Sequence, residues 1–239
     1  MIQGDPRGRR IWYTFDLIKY IKSNISKKVP NAPSPWITKF SVPLDHLGSK
    51  KNKEDFFMKF ELKPQTIFSP VPVVMVSCGT MENANIISVA WTGIVNSEPP
   101  LVYVSIRPTR KSYEIIKEER ELIINIPNEN LVWQVDFCGT KSGKNIDKFK
   151  EASLQKEKGK LVKAPLIKEC PINLECKVKE IKSLGSHDMF IAEIINIHVD
   201  EEFIENGKLN YDKMNLLSYM GNKYFVQNKK IADRGICLK

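Results

Sequence analysis

The sequence lacks the features that would mark a membrane or secreted protein. It has no apolar run long enough to span a bilayer, and its basic start, MIQGDPRGRRIWYTFDLIKY, is not followed by an uninterrupted apolar region with a small-residue cleavage site. We therefore expect no membrane association and predict a cytoplasmic location.

Cysteine and histidine are also scarce. The 5 cysteines form no C-x-x-C pair, and the 3 histidines form no H-E-x-x-H motif. An odd number of unpatterned cysteines does not suit a disulfide framework, and no cluster suits a structural metal ion. We predict a protein of a reducing compartment with no metal site.

The net charge of +9 raises the question of nucleic-acid binding. Residues 1–57 hold 11 Lys and Arg against 5 Asp and Glu, whereas residues 58–239 hold 26 against 23. The charge is thus concentrated in the first segment, and no nucleic-acid-binding motif accompanies it. A solvated basic tail is the better interpretation, so we expect no nucleic-acid partner.

Residues 1–57 differ from the remainder of the chain in composition and sequence pattern. One amphipathic stretch is followed by a Pro-rich VPNAPSPW and a polar GSKKNKED. We interpret this segment as a basic N-terminal extension or linker outside the native domain, which we place at residues 58–239. The alternative is an N-terminal helix packed on that domain.

From residue 71 the pattern indicates short β-strands. Four runs rich in Val and Ile lie close to turn residues: VPVVMVSC, IISVAWT, LVYVSIR and ELIINIP. Two later runs, NLECKVKEIK and MFIAEIINIHV, are predicted to pair as a hairpin through SLGSHD, and Glu175 falls on the polar face of the first. Helices are predicted in KSYEIIKEE and NENLVWQVDF. We therefore predict a mainly β fold, a small barrel with helical insertions.

Polar groups occur where a barrel core would not require them. In LVYVSIR, Val102 and its alternate neighbours share one face, while Tyr103, Ser105 and Arg107 share the other. The helix that follows starts beside Arg110, Lys111 and Ser112, and a helix N-terminus with such neighbours suits a phosphate. A capped, solvated helix start is the simpler alternative.

The preceding run adds groups that suit a flat ligand. Asn85, Ser88 and Thr92 supply an amide and two hydroxyls, and Trp91 supplies an aromatic plane. Trp91 alone would more often belong to a core. Together with the phosphate pattern some twenty residues later, however, these groups favour a phosphorylated heteroaromatic cofactor.

Several stretches taken together carry a family resemblance over about residues 60–224. They occur in the family's order: PVPVVMVSCGT, NIISVAWTGIVNSEPPLVYVSIRPTRKSYEII, LIINIPNENL, DFCGTKSGKNIDKF, APLIKECPINLECKV and GSHDMFIAEI. The chain thus resembles the flavin reductase-like FMN-binding split-barrel family, which includes flavoredoxin. The resemblance implies a homodimeric, six-stranded antiparallel Greek-key split barrel that binds FMN near the dimer interface and receives electrons from NADH or NADPH.

The resemblance also implies residue roles. Neighbours of the ring and ribityl chain are Asn85, Ser88, Val89, Ala90, Trp91 and Thr92. The phosphate and ribityl segment supplies Ser105, Ile106, Arg107, Arg110, Lys111 and Ser112. A loop expected near the flavin or across the dimer contains Cys138, Gly139, Thr140 and Lys144.

His187 matches a position on the nicotinamide side and is a candidate catalytic residue. The family's common turn motif is Gly-Asp-His, whereas this chain has Gly-Ser-His-Asp from Gly185 to Asp188. A surface-turn histidine is the alternative.

Three functions remain open from the sequence. The first is an NAD(P)H:flavin oxidoreductase, in which the cofactor performs the electron transfer and the protein positions it. The second is a flavoredoxin-like FMN electron carrier that serves protein partners. The third is a non-redox interaction module, which the polar strands disfavour. No G-x-G-x-x-G fingerprint separates the first two.

Overall fold

The computed structural model describes residues 59–227 and 229–238, and all of its helices and strands lie within the unit Lys63–Lys239. Residues 1–57, the predicted extension, lie outside this range, so their separation from the domain stays a prediction. In the described part of the chain, no helix combines the length and apolar content needed to cross a bilayer.

Strands dominate the described chain. They are β1 (Val71–Pro72), β2 (Val74–Gly79), β3 (Ala84–Val89), β4 (Thr92–Asn96), β5 (Leu101–Ile106), β6 (Glu121–Ile126), β7 (Lys156–Lys158), β8 (Pro165–Ile167), β9 (Ile172–Ser183), β10 (Asp188–Val199), β11 (Ile204–Glu205), β12 (Lys208–Leu209), β13 (Leu217–Met220) and β14 (Lys223–Val226). The helices are α1 (Lys111–Glu119), α2 (Val132–Thr140) and α3 (Lys148–Glu151), with short 3-10 turns at Glu129–Leu131, Glu201–Phe203, Tyr211–Lys213 and Ile236–Leu238. The predicted mainly β fold with helical insertions is confirmed.

The main sheet has seven antiparallel strands in the order β3-β2-β6-β9-β10-β5-β4. Consecutive strands β3 and β4 therefore lie at opposite edges of the sheet. The chain bends at Ala90–Trp91 and changes partner from β2 to β5, where the Ser105 N–H donates to the Trp91 carbonyl at 2.9 Å. Six strands were expected, whereas the sheet has seven. The bend divides the single predicted run IISVAWT between two strands, β3 and β4.

The predicted faces of β5 are confirmed. Val102, Val104 and Ile106 are buried, whereas Tyr103 and Ser105 are only partly covered. The buried face joins an apolar core built from β2, β3, β6, β9, β10 and α1. Because strand side chains alternate, the polar row is directed away from this core. The hairpin of β9 with β10 is also confirmed.

A second apolar cluster lies between the sheet and helices α2 and α3. Met75 and Ile86 meet Val135 and Phe149 there. Burying large side chains such as these stabilises the fold by about 1.5–3 kcal/mol each relative to exposure. The helices are thereby fixed against β3, at the edge of the sheet where the polar strand residues lie.

The predicted outward position of Glu175 on β9 is wrong. Its side chain is fully buried and accepts hydrogen bonds from the backbone N–H groups of Lys160, Leu161 and Val162 at 2.6–3.0 Å. His198 Nε2 lies 2.6 Å from its Oε1. Strand alternation gave the correct face, but the charged 159–163 loop folds over that face and covers the carboxylate. Burial alone would raise the pKa of Glu175, yet these hydrogen bonds lower it to about 2.

Candidate functional site

A cleft of about 190 Å³, the main cleft, opens beside the bend between β3 and β4. It is lined by Ile87, Ser88, Val89, Ala90, Trp91, Ser105, Ile106, Arg107, Arg110, Gly139 and His187. The lining includes five consecutive residues, 87–91, which form the end of β3 and the bend after it. Since side chains alternate along a strand, a consecutive run means that the backbone edge itself lines the cleft. Because β3 pairs with β2 on one side and is an edge strand of the described sheet, the backbone groups on its other side can meet a ligand, apart from the Ile86 carbonyl, which accepts from Lys148.

An aromatic and cationic wall closes one end of the main cleft. The Trp91 and His187 rings lie 4.5 Å apart, and Trp91 remains 43% exposed. Burial first, and the positive charge of Arg107 second, lower the pKa of His187 below its usual 6.5. At neutral pH the imidazole is therefore uncharged. Its Nδ1 lies 3.0 Å from the Ser186 hydroxyl, which leaves the other ring nitrogen for a ligand.

The turn Gly185–Asp188 differs from the family's common Gly-Asp-His turn, and this difference has a structural explanation. Asp188 does not face the main cleft, because its carboxylate accepts hydrogen bonds from Tyr113 at 2.6 Å and from Ser183 at 2.9 Å. These bonds, with Tyr113 the larger cause, lower the pKa of Asp188. Asp188 thus ties α1 to the β9–β10 hairpin and holds His187 beside Trp91. His187 lies in the turn between β9 and β10, and its partly buried ring lines the main cleft, so a catalytic role for it stays a prediction.

A second depression, the inner basic pocket, adjoins the main cleft at Ile87 and Arg110. Its lining is Asn85, Ile87, Arg110, Lys111, Ser112, Lys141, Ser142, Gly143 and Lys148. Four of these nine residues are cationic and two carry hydroxyls. Such a lining suits a phosphate group.

Helix α1 begins at this pocket, as the sequence predicted. Arg110 is its N-cap, has an extended backbone and makes no side-chain cap hydrogen bond. The first N–H groups of the helix therefore receive no partner from that side chain and contribute to the positive end of the helix dipole. Ser112 is buried, and its Oγ accepts a hydrogen bond of 2.7 Å from Asn85 Nδ2.

Gly143 permits the close approach of the 141–145 loop to β3. A Cβ atom at this position would overlap the Asn85 side-chain oxygen. Asn85 is itself buried and bonded to Ser112. The pocket therefore depends on a residue without a side chain at position 143.

Lys148 is the deepest cation of the inner basic pocket. It is 4% exposed, and its Nζ donates to the carbonyl oxygens of Ile86 at 2.8 Å and Cys138 at 2.6 Å. An ammonium group has three donors, so one remains for a ligand. Burial is the main cause that lowers the pKa of Lys148 to about 8, and the charges of Arg110 and Lys111 act in the same direction.

Lys141, Ser142, Gly143 and Lys148 were not predicted as site residues. Lys148 lies at the start of α3, within a charged connection where Lys and Glu alternate without a clear period. Only its burial distinguishes it from its neighbours. The pattern Lys-Ser-Gly-Lys in that loop was a usable signal, because a small residue between cations allows close approach to an anion.

Most of the predicted binding residues lie together. The main cleft and the inner basic pocket contain Asn85, Ser88, Val89, Ala90, Trp91, Ser105, Ile106, Arg107, Arg110, Lys111, Ser112, Gly139 and His187.

Four predicted residues line neither of these depressions. The Thr92 hydroxyl donates to the Tyr103 carbonyl at 2.6 Å and lies beside a separate cavity. The Cys138 side chain is fully buried, and burial raises its pKa to about 11. Lys144 lines a neighbouring cavity, and Thr140 lines another, described below, beyond Gly139. Their roles as ligand neighbours stay predictions.

The seven-stranded antiparallel sheet has its two edge strands, β3 and β4, joined by the bend at Ala90–Trp91, with a polar cleft at that bend and a basic pocket beside it. The sequence model of the flavin reductase like domain matches residues 68–225. The chain therefore belongs to the flavin reductase-like family.

Similar proteins agree with this assignment. An uncharacterized protein of Pyrococcus abyssi is 31% identical over 157 residues, which cover 66% of this chain and 90% of that protein. The solved flavoredoxin of Desulfovibrio vulgaris (Miyazaki F) has 30% identity and a TM-score of 0.71 over 76% of this chain and all of its own. Flavoredoxin from Methanosarcina acetivorans has 28% identity and a TM-score of 0.70 over the same shares. The predicted resemblance to the FMN-binding split barrels is confirmed.

Proposed function

We propose that this protein binds FMN and uses it to transfer electrons from NADH or NADPH to flavin. The single observation that carries the proposal is the continuity of the two depressions. The main cleft offers an edge strand and an aromatic residue, and it meets a four-cation pocket at Arg110. This arrangement matches a flat heteroaromatic ring joined to a phosphate.

The lining of the main cleft fits the ring of a flavin. A flavin ring needs hydrogen bonds at its polar edge and apolar contacts on its faces. The backbone edge at residues 88–90 supplies the first, and Ile87, Ile106 and the Trp91 ring supply the second. The Ser88 hydroxyl itself is committed to the Val135 carbonyl at 2.6 Å, so it orders α2 rather than donating to a ligand.

The inner basic pocket fits the phosphate. Its free volume is only about 10 Å³. A phosphate therefore enters by displacing the ends of the exposed Arg110 and Lys141 side chains, which stay close enough to pair with it. Lys148 is already fixed by two carbonyl bonds and loses little conformational entropy when its third donor meets the anion.

When bound, FMN supplies the hydride and electron chemistry. The protein residues bind the flavin, orient its ring and set the charge around it. Arg107 places positive charge beside the cleft, which favours an anionic ligand. His187 lines the same cleft, and in this proposal its neutral ring hydrogen-bonds to the second substrate. We expect no covalent nucleophile, because burial raises the pKa of the nearby Cys78 and Cys138 thiols to about 11.

A flavoredoxin-like electron carrier is the second candidate. The likeness to two flavoredoxins over three quarters of the chain favours it. In that case FMN stays bound, and protein partners deliver and remove electrons.

One set of assays separates the two candidates. The purified full chain, loaded with FMN, is mixed anaerobically with NADH or NADPH, and flavin bleaching is followed. Rapid bleaching with steady turnover on added flavin supports the reductase. Slow bleaching by both nicotinamides, with fast reduction by a reduced ferredoxin-type donor, supports the carrier.

Binding itself is tested first. Trp91→Ala is expected to change the spectrum or affinity of the bound flavin in either case, and a surface change such as Lys150→Ala is the matched control. If the wild-type protein, shown to be folded by circular dichroism, binds no flavin, both candidates fail.

The proposal includes a homodimer. Trp91, Ile94 and Val95 are exposed together along the bend and edge strand β4, next to the main cleft. A second copy covering them would bury apolar surface and narrow the cleft. Sedimentation equilibrium of the full chain tests this. A cytoplasmic location remains a prediction from the sequence.

A further inference from the structure

A further cavity of about 250 Å³, the tyrosine cavity, adjoins the main cleft and has no part in FMN binding as proposed above. Its lining is Val73, Ser88, Ala90, Asp136, Gly139, Thr140, Tyr219 and Tyr224. It shares Ser88, Ala90 and Gly139 with the main cleft and no residue with the inner basic pocket. A molecule in the tyrosine cavity therefore lies beside the main cleft without occupying the proposed phosphate site.

The tyrosine cavity and the inner basic pocket use opposite faces of β3. The Ser88 hydroxyl donates to the Val135 carbonyl of α2, whereas Asn85 and Ile87 line the inner basic pocket. Because side chains alternate along a strand, Ser88 lies on the face where α2 packs, and Asn85 and Ile87 lie on the other. A ligand in one depression therefore does not exclude a phosphate from the other.

Two tyrosines of the β13–β14 hairpin form an aromatic wall of the tyrosine cavity. Tyr219 and Tyr224 are paired directly across the two strands, and their rings lie 5.3 Å apart at an interplanar angle of 57°. The Tyr219 hydroxyl donates to Asn222 at 2.9 Å, and the Tyr224 hydroxyl donates to Asp136 at 3.0 Å. These bonds fix both rings, so the protein loses little conformational entropy when a planar ligand packs against them.

Asp136 is the single charged group in the lining of the tyrosine cavity. None of the ion pairs among the described residues includes it. Tyr224 occupies one of the roughly four acceptor positions of its carboxylate, so a cation or a donor can meet the others. Burial, and next the bond to Asp136, raise the pKa of Tyr224, so the phenol stays neutral. The tyrosine cavity is therefore acidic, whereas the main cleft and the inner basic pocket are lined by cations.

We propose that the tyrosine cavity binds a planar aromatic cation, whose ring packs on Tyr219 and Tyr224 and whose charge meets Asp136. An aromatic face attracts a cation, and a carboxylate adds a charge-assisted contact. NADH and NADPH are anions, which the Asp136 carboxylate repels, so the ligand belongs to another class of substrate. The inference deepens the proposed function by naming the class of a molecule that lies beside the flavin, and for that role it rests on the proposed function.

The test titrates the FMN-loaded full chain with N-methylacridinium and N-methylacridone, a cation and a neutral molecule with the same fused-ring core. Calorimetry measures both affinities for the wild type, Asp136→Asn and Glu151→Gln. Glu151 is an exposed acid that lines neither the tyrosine cavity nor the main cleft nor the inner basic pocket. We expect the wild type to bind the cation about three- to tenfold more tightly at low salt, in line with a charge-assisted contact at a solvated carboxylate. Asp136→Asn should bring this ratio to about one, and Glu151→Gln should leave it unchanged.

A second variant tests the aromatic wall separately from the charge. Tyr219→Leu removes one ring and leaves Asp136 in place, so both probes should bind about two- to tenfold more weakly with their ratio preserved. A thermal melt of each variant checks that it is folded.

Three results overturn the inference. The wild type shows no preference for the cation, or Asp136→Asn keeps the preference, or the cation displaces bound FMN and so occupies the main cleft instead. The first two leave FMN binding in place. Failure of the wild type to bind FMN refutes the proposed function, and the same titration of the flavin-free chain then still tests the tyrosine cavity.

Discussion

Replacing Lys148 should separate FMN from riboflavin. Lys148→Met keeps the length of the side chain but removes its charge and its donors. A hydrogen bond to a charged group contributes about 1.5–3 kcal/mol, which corresponds to a roughly tenfold to hundredfold loss of affinity. Only FMN carries the phosphate, so riboflavin affinity should change little.

The same side chain predicts a pH dependence. With a pKa of about 8, Lys148 is about nine-tenths charged at pH 7 and about one-tenth charged at pH 9. The charged form binds phosphate, so FMN affinity should fall about ninefold as the pH rises from 7 to 9. The other titratable groups that face Lys148 are Arg110 and Lys111 at the start of α1 and the thiols of Cys78 and Cys138. Both thiols have a pKa of about 11 and stay neutral in this range.

Fluorescence titration of flavin with the wild type and Lys148→Met at pH 7, 8 and 9 measures both effects. Riboflavin is the internal control for changes in the ring or the fold, and a thermal melt at each pH checks that the variant is folded. Equal losses for FMN and riboflavin, or an alkaline fall in FMN affinity that survives in Lys148→Met, would refute this role for Lys148.

Two further predictions concern Gly143, which shapes the inner basic pocket, and Glu175, which is buried beneath the 159–163 loop. Gly143→Ala places a methyl group on the Asn85 side-chain oxygen, so the loop must shift; we expect at least a tenfold loss of FMN affinity with a normal melting temperature, and unchanged affinity would show that the loop moves freely. Glu175→Gln removes a carboxylate whose pKa is lowered from 4.5 to about 2. At neutral pH this shift raises the free energy of unfolding by about 3 kcal/mol. This stability is present above pH 4.5 and is lost as the pH falls towards 2. Calorimetry should therefore give a melting temperature about 6–12 °C lower at pH 7, with a smaller acid dependence than the wild type, and parallel pH profiles for the two proteins would contradict the argument.

The strands and their faces followed from the sequence because they depend on local alternation. The period of two in LVYVSIR identified which side chains of β5 are buried and which are polar, and each face was as predicted. The start of α1 beside Arg110 and Lys111 was equally local. The ordered set of motifs also identified the family, which no single stretch would have done.

Long-range packing decided what the sequence left open. The sequence around Ala90–Trp91 has the pattern of the middle of a strand, yet the chain bends there because β3 pairs with β2 at one edge of the sheet and β4 pairs with β5 at the other. Glu175 and Lys148 resemble the solvated charges around them in the sequence. Their burial depends on a loop and a helix that come from elsewhere in the chain, and burial is what changes the pKa of each and gives it a structural or binding role. The sequence by itself determined which residues alternate, cap and turn, whereas only the tertiary structure decided which charges lose contact with water.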